Sequence, residues 1–425
     1  MVPPSTSHTP PFHVPIRYML TGVASFLLFA VLLLVAGVRS GPPSPAPLWV
    51  TTTHVLTLGA LLSFAMGASY QLVTVAFLTP IASVRGAAWN YWLYIGGLMG
   101  LWYSMARWWP TGLALFGTVT ALAVIVYAVI ILASIHRSIV RGPIRGFIQA
   151  AHVDLILAVL AVLSLIIAMR SGMEHGLEAL LVTHIVLAMG YFTFLIMGFT
   201  LKLLPMFTLA HGHNERPTQF ALWLLHGAVW TFILGEWLWG PLSWIGGALA
   251  VAAYLVFVRY IIDVIQRRVR RRIEWPIRAA LAAVASGAIG AVALLAASVL
   301  GRSWLPMESV VSFYLLGWAA WTLLGYAYKV VPFLVWTHRF GWLAGRQKVP
   351  LVDDVLDVRR SRVVYALYGP GFIGFSISAA FGWTWGLVLF SGLLATSLGG
   401  FCLHMGRVLD PKWLWRVLRG GDVRP

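Results

Sequence analysis

Apolar runs of about 20 residues, each long enough to cross a hydrocarbon core of roughly 30 Å, recur along this chain from Tyr18 to Met405. A soluble fold has no way to hide that much apolar surface: 60% of the residues are hydrophobic and 10% charged, against about 45–50% apolar in soluble domains. The lipid bilayer is therefore the solvent this chain needs. The runs place spans near 17–37, 48–78, 87–105, 110–135, 146–169, 178–209, 218–239, 241–266, 275–300, 307–336, 361–383 and 385–405. The expectation is an all-α polytopic membrane protein with about twelve transmembrane helices. A polar, Pro-rich arm covers 1–16, a single membrane domain 17–405 and a basic tail 406–425.

A net charge of +17 would suggest nucleic acid in a soluble protein, so the placement of the basic residues decides the matter. They sort by side. Alternate connections carry Arg137, Arg141 and Arg145, the run Arg267, Arg268, Arg270, Arg271, Arg272 and Arg278, and Arg339, Arg346, Lys348, Arg359, Arg360 and Arg362. The tail adds Arg407, Lys412, Arg416, Arg419 and Arg424, whereas the opposite loops hold Arg39, Arg107, Arg170 and Arg302. The positive-inside rule then puts both termini in the cytoplasm. It makes the basic run a topology anchor or lipid-headgroup contact and not a nucleic-acid site. A prokaryotic plasma membrane is the expected location. The Arg39-Ser40-Gly41-Pro42-Pro43 stretch is a poor cleavage site, which predicts an uncleaved first span. Asp353, Asp354 and Asp357 in the connection 346–362 read as a solvated linker. With Cys402 as the only cysteine, an intrachain disulfide, a zinc ribbon and a cysteine-ligated iron–sulfur cluster are excluded.

Three segments align without gaps. They are VLTLGALLSFAMGASYQLVTVAF in the second span, IVLAMGYFTFLIMGFTLKLLPMF in the sixth and FYLLGWAAWTLLGYAYKVVPFLV in the tenth. Gly59 and Gly67, Gly190 and Gly198, and Gly317 and Gly325 share one spacing, and Gln71, Lys202 and Lys329 follow in register, as do Pro205 and Pro332. This predicts three four-helix units in pseudo-symmetric, parallel repetition. The same register brings His211 level with His338, in structural or interfacial positions.

Ionisable groups at bilayer depth are costly and mark function. His54 and His184 open two of the aligned segments. His54 precedes its glycine by five residues and His184 by six, which at about 100° per residue sets them on opposite flanks of the glycine face. In a rotational array they would enter one crevice between the second and sixth spans. Two neutral imidazoles suit axial ligation of a haem iron, whereas three or four nitrogens suit copper or zinc. The bland alternative is a hydrogen bond from each histidine to a threonine hydroxyl or a carbonyl on a neighbouring helix. His226 is a candidate further metal ligand. His152 and Asp154 diverge by about 200° and are not expected to form one local site. Glu236 reads as an interfacial carboxylate. Lys202 and Lys329 either snorkel to the inner surface or line a proton path.

The motifs THVLTLG, THIVLAMG and GYAYKVVPF, set in twelve spans of this topology, resemble subunit I of the heme–copper oxidase superfamily, closest to its cbb3-type and nitric-oxide-reductase-like branches. The resemblance implies that His54 takes the place of an axial ligand of the low-spin haem and His184 that of a copper ligand. It also implies haem b, with copper as the other cofactor, a quinol or cytochrome partner, and neighbouring respiratory subunits. Two departures stand out. The tenth span carries no histidine over 308–329, and the seventh offers only His226, so a complete oxygen-reducing centre cannot be assembled in the family's manner. The expected function is a divergent haem- or metal-binding protein serving electron transfer. A non-enzymatic copper- or haem-handling protein, for which Met66, Met197 and Met206 offer soft sulfurs, and a small-molecule transporter remain open beside it.

Overall fold

Proline begins several of the helices: Pro47, Pro110 and Pro143 each occupy the first helical position, where the missing N–H is no loss and the fixed φ suits the helix. A computed structural model describes residues 9–173, 175–300, 306–344, 346–356 and 358–408. The long helices are α1 His13–Ser40, α2 Pro47–Ala76, α3 Val84–Ala106, α4 Pro110–His136, α5 Pro143–Arg170, α6 Leu177–Thr208, α7 Thr218–Trp237, α8 Leu242–Gln266, α9 Trp275–Leu300, α10 Met307–Phe340, α11 Val358–Ala380 and α12 Thr384–Val408. Eleven of them are long and apolar enough to cross a membrane, and α3 is the twelfth long helix. The chain is an all-α, multi-pass membrane protein. Residues 1–8 of the polar arm, Arg302, Asp357 and residues 409–425 of the basic tail lie outside the described residues. The rest of the arm is shorter than the sequence suggests, because α1 already begins at His13.

Two of the twelve contain π turns. In α2 the stretch Val55–Leu62 winds as a π-helix, and in α10 Tyr314–Ala320 does the same. These turns enclose Gly59 and Gly317, whereas α6 runs as an α-helix from end to end through Gly190. Pro205, Pro332 and Pro370 sit inside α6, α10 and α11 without ending them. The connection after α10 holds a short helix, Val352–Val355, where Asp354 Oδ2 accepts the Leu351 N–H at 2.8 Å.

The chain divides into two compact units. The first comprises residues 1–91, 274–280 and 320–425. In it α1 packs on α2 and on α12, and α11 on α12. The second comprises 92–273 and 281–319, with α5 against both α4 and α6, and α7 against α8.

Glycines set the closest approaches, as expected where lipid gives no hydrophobic drive and packing decides. A Cβ on Gly67 would lie 2.8 Å from Met19 Cγ, one on Gly198 would lie 2.8 Å from Phe147 Cβ, and one on Gly325 would lie 2.8 Å from the Pro276 carbonyl. The partners are the opening turns of α1, α5 and α9. Two hairpin corners also match. In one, the Trp109 N–H donates to the Ser104 carbonyl at 2.8 Å beside Trp108 at φ 48°; in the other, the Trp383 N–H donates to Ser378 at 2.9 Å beside Gly382 at φ 65°. Gly100 lies against Phe116 and Gly374 against Phe390 in the corresponding places.

Candidate functional site

His54 ends the regular first part of α2, and the π turns begin at the next residue. Its Nδ1 lies 2.8 Å from the Val50 carbonyl, one turn back on the same helix. A carbonyl can only accept, so Nδ1 carries the proton and Nε2 the lone pair. His184 is held in the same tautomer by a different partner: its Nδ1 donates to the Ala158 carbonyl of α5 at 2.9 Å. The adjacent hydroxyl of Thr183 is engaged elsewhere, accepting the Trp237 indole N–H at 3.0 Å. The carbonyl bond proposed as the bland reading is thus present for both histidines. It is also the arrangement found behind a metal-bound imidazole, where the second ring nitrogen is fixed by a carbonyl.

The winding of α2 changes one step of the sequence argument. The opposite-flank geometry assumes 100° per residue from His54 to Gly59, but the intervening residues form π turns. In an α-helix, residues joined i to i+4 lie about 40° apart around the axis. A π turn joins i to i+5 instead, so His54 stands nearly above Gly59. On α6, which is regular, the offset of His184 from Gly190 stays near 120°. His54 belongs to the first compact unit and His184 to the second.

His226, the candidate further ligand, packs its ring on Phe194 at 4.8 Å and Trp223 at 6.0 Å. Among the described residues no three His, Cys, Asp or Glu side chains gather closely enough to share a metal ion. His338 stacks edge-on against Phe12 at 5.1 Å, while His211 is exposed.

The two lysines part company. Lys202 is exposed, but Lys329 is only 5% exposed and pairs with Glu274, the residue before α9. Lys329 thus reaches a counter-charge at the start of α9. Glu274 stands two residues before Pro276, and the residues so placed before Pro143 and Pro15 are Arg141 and His13. Lys202 has no such carboxylate to fold onto. Gln71, in the equivalent place on α2, is buried, with neither amide atom hydrogen-bonded among the described residues.

A polar cluster inside the second unit escaped the sequence reading. His152 of α5 is fully buried. Its Nδ1 donates to the Ile148 carbonyl at 2.7 Å, and its Nε2 accepts from the Tyr127 hydroxyl of α4 at 3.1 Å. The Tyr191 ring of α6 meets it edge-on at 5.9 Å. Asp154, also fully buried, leaves α5 in another direction, as its spacing from His152 predicts. Its Oδ2 lies 2.6 Å from where a Cβ on Gly190 would be, and the Val229 Cγ2 of α7 closes on the same point at 3.2 Å. Both nonetheless border the Gly190–Tyr191 turn of α6, His152 at the Tyr191 ring and Asp154 at Gly190. The alternation of Gly190 with Tyr191 and the nearby carboxylate were visible in the sequence, but helix-wheel angles on one helix do not show what a second helix brings between them.

No family model matches this sequence, and no curated protein does.

Proposed function

We propose that the chain is a haem-binding membrane protein that serves electron transfer, with His54 and His184 as imidazole ligands and both termini in the cytoplasm. The observation that carries it is the shared tautomer. Each ring is anchored through Nδ1 to a backbone carbonyl, which makes Nε2 the basic nitrogen, the one an iron takes. The π turns directly below His54 fit the reading, since such turns concentrate at functional sites. Bound haem would supply one-electron chemistry at its iron, with the axial ligands and their hydrogen bonds setting its potential. This chain's residues would hold and orient it. The exchange would run between a quinol or cytochrome and a neighbouring respiratory subunit in a prokaryotic plasma membrane.

The three-repeat reading belongs to the same proposal. A Pro-Ile-Arg triplet opens α1, α5 and α9, at Pro15-Ile16-Arg17, Pro143-Ile144-Arg145 and Pro276-Ile277-Arg278. The glycine that ends each aligned pair packs within the turns that follow its triplet or on its proline. These correspondences, with the matched hairpin corners, support three four-helix repeats.

The test is a reduced-minus-oxidised visible spectrum of protein produced with ample haem, alongside His54→Ala and His184→Ala. Sharp α and Soret bands in the parent, lost in both variants, are expected. A parent without bands removes the haem reading. In that case stoichiometric bound copper would identify a metal handler, and its absence a transporter.

A further inference from the structure

Asp154 is the one carboxylate among the described residues that is fully buried, and both of its oxygens lack a hydrogen-bond partner among them. An ionised carboxylate in such a place carries a desolvation cost that only a counter-charge or several donors offset. The walls of this place supply neither. Oδ2 lies against Gly190 of α6, where a Cβ would meet it at 2.6 Å and the Val229 methyl at 3.2 Å, and neither oxygen has a hydrogen-bond partner among the described residues. A metal cation is no better served, since calcium or magnesium calls for about six or more oxygens, and no three potential ligand side chains gather here.

The fold does not require a carboxylate at this position. The same interval separates Pro15 from Phe26, Pro143 from Asp154 and Pro276 from Gly287. Phe26 is fully buried and packs on Phe401 at 5.7 Å. At Gly287 the space is taken by aromatic rings: a Cβ there would meet Tyr254 Cε1 at 2.7 Å and Trp318 Cε3 at 2.8 Å. Trp318 follows Gly317 as Tyr191 follows Gly190. In two settings the position is filled with apolar rings, and in the third it holds an acid. Packing alone does not explain the acid.

We infer that Asp154 is a proton-binding site inside the second unit, neutral at pH 7, whose carboxyl O–H forms on proton uptake and breaks on release. No oxidant or reductant is involved. The titratable groups on the helices around it include His152 on its own helix, Tyr127 on α4, Tyr191 and His184 on α6, His226 on α7 and Tyr94 on α3, while Arg145, Arg170, His136, Glu178, Lys202 and Glu236 lie toward the helix ends. No lysine or arginine is recorded at its oxygens. Tyr191 touches His152, and His152 is bonded to Tyr127. A polar string therefore reaches the turn that Asp154 faces. The inference does not depend on haem.

Infrared spectra of the reconstituted protein at pH 7 test it. A carbonyl stretch of a protonated carboxylic acid is expected in the parent and absent from the near-isosteric Asp154→Asn. Uniform ¹³C-aspartate labelling of the parent should shift that band, which secures the assignment without any variant. An ionised-carboxylate signature only, or an acid band that survives in Asp154→Asn, overturns the inference. So does an acid band that disappears when sodium or potassium is added at constant pH, which would make the ligand a metal cation.

Discussion

Replacing Glu274 by Gln removes the charge that Lys329 faces while keeping the size and shape of the side chain. The two side chains are 21% and 6% exposed, both well under the level at which solvent screening makes an ion pair negligible. Breaking a buried pair by removing one partner costs about 3–5 kcal/mol, because the other charge is left uncompensated. With Glu274 partly reached by solvent the lower end applies, so Glu274→Gln should cost about 3 kcal/mol. Lys329→Met leaves the charge on the more exposed partner and should cost less, about 1–2 kcal/mol. The double variant has no charge left to bury. It should be milder than the sum of the two by about 2 kcal/mol, a coupling characteristic of residues in contact. Reversible unfolding in mixed detergent micelles, titrated with a denaturing detergent, reads all four proteins on one scale. If Glu274→Gln costs under about 1 kcal/mol, as for a surface pair, and the two changes simply add, then the pair is not buried in the way described and the explanation for Lys329 is wrong.

Three further substitutions follow from the packing and hydrogen bonds described. Gly67→Ala forces a methyl onto α1 beside Met19 and should cost about 1–3 kcal/mol by overpacking. Gly96→Ala on the exposed face of α3, where nothing lies within 4 Å, should be neutral or stabilising by up to about 1 kcal/mol; equal losses in thermal stability would refute the helix contact. Tyr127→Phe strands the Nε2 of His152 and should cost about 1–3 kcal/mol, with a loss of amide-exchange protection in α5 near Ile148; unchanged stability would mean that the bond is not made.

Much of this architecture was readable in the sequence because a bilayer imposes one dominant rule, that backbone polar groups be satisfied within each apolar run. The second span, expected over 48–78, is Pro47–Ala76, and the seventh, expected over 218–239, is Thr218–Trp237. The misjudged ends lie ahead of the most apolar stretches: α5 starts at Pro143, as proline at the first helical position permits, and α1 at His13. Neither π segment was legible, since VLTLGALL has no residue that marks an added residue per turn. The cost was the flank argument for His54. The Pro-Ile-Arg triplets are legible in the sequence but stand outside the glycine-bearing spans that align. Glu274 was lost in a loop dominated by arginine, and Asp154 was weighed only against its neighbour on the same helix. For His54 and His184, the structure adds a tautomer that the sequence does not carry.

The π turns of α2 also bear on how such a chain can change over time. They hold one more residue per turn than the helix on either side, so the loss of a single codon within Val55–Leu62 would leave an ordinary α-helix and an intact hydrogen-bonded span. The half below, with Gly67 seated on α1, would keep its contacts, while the half above would turn by about 100° and move by about 1.5 Å. Such a stretch lets descent re-aim the residue above it in one heritable step, without first dismantling the packing that holds the span in place. α10 carries the same slack at Tyr314–Ala320 with no histidine above it, and so keeps that step in reserve.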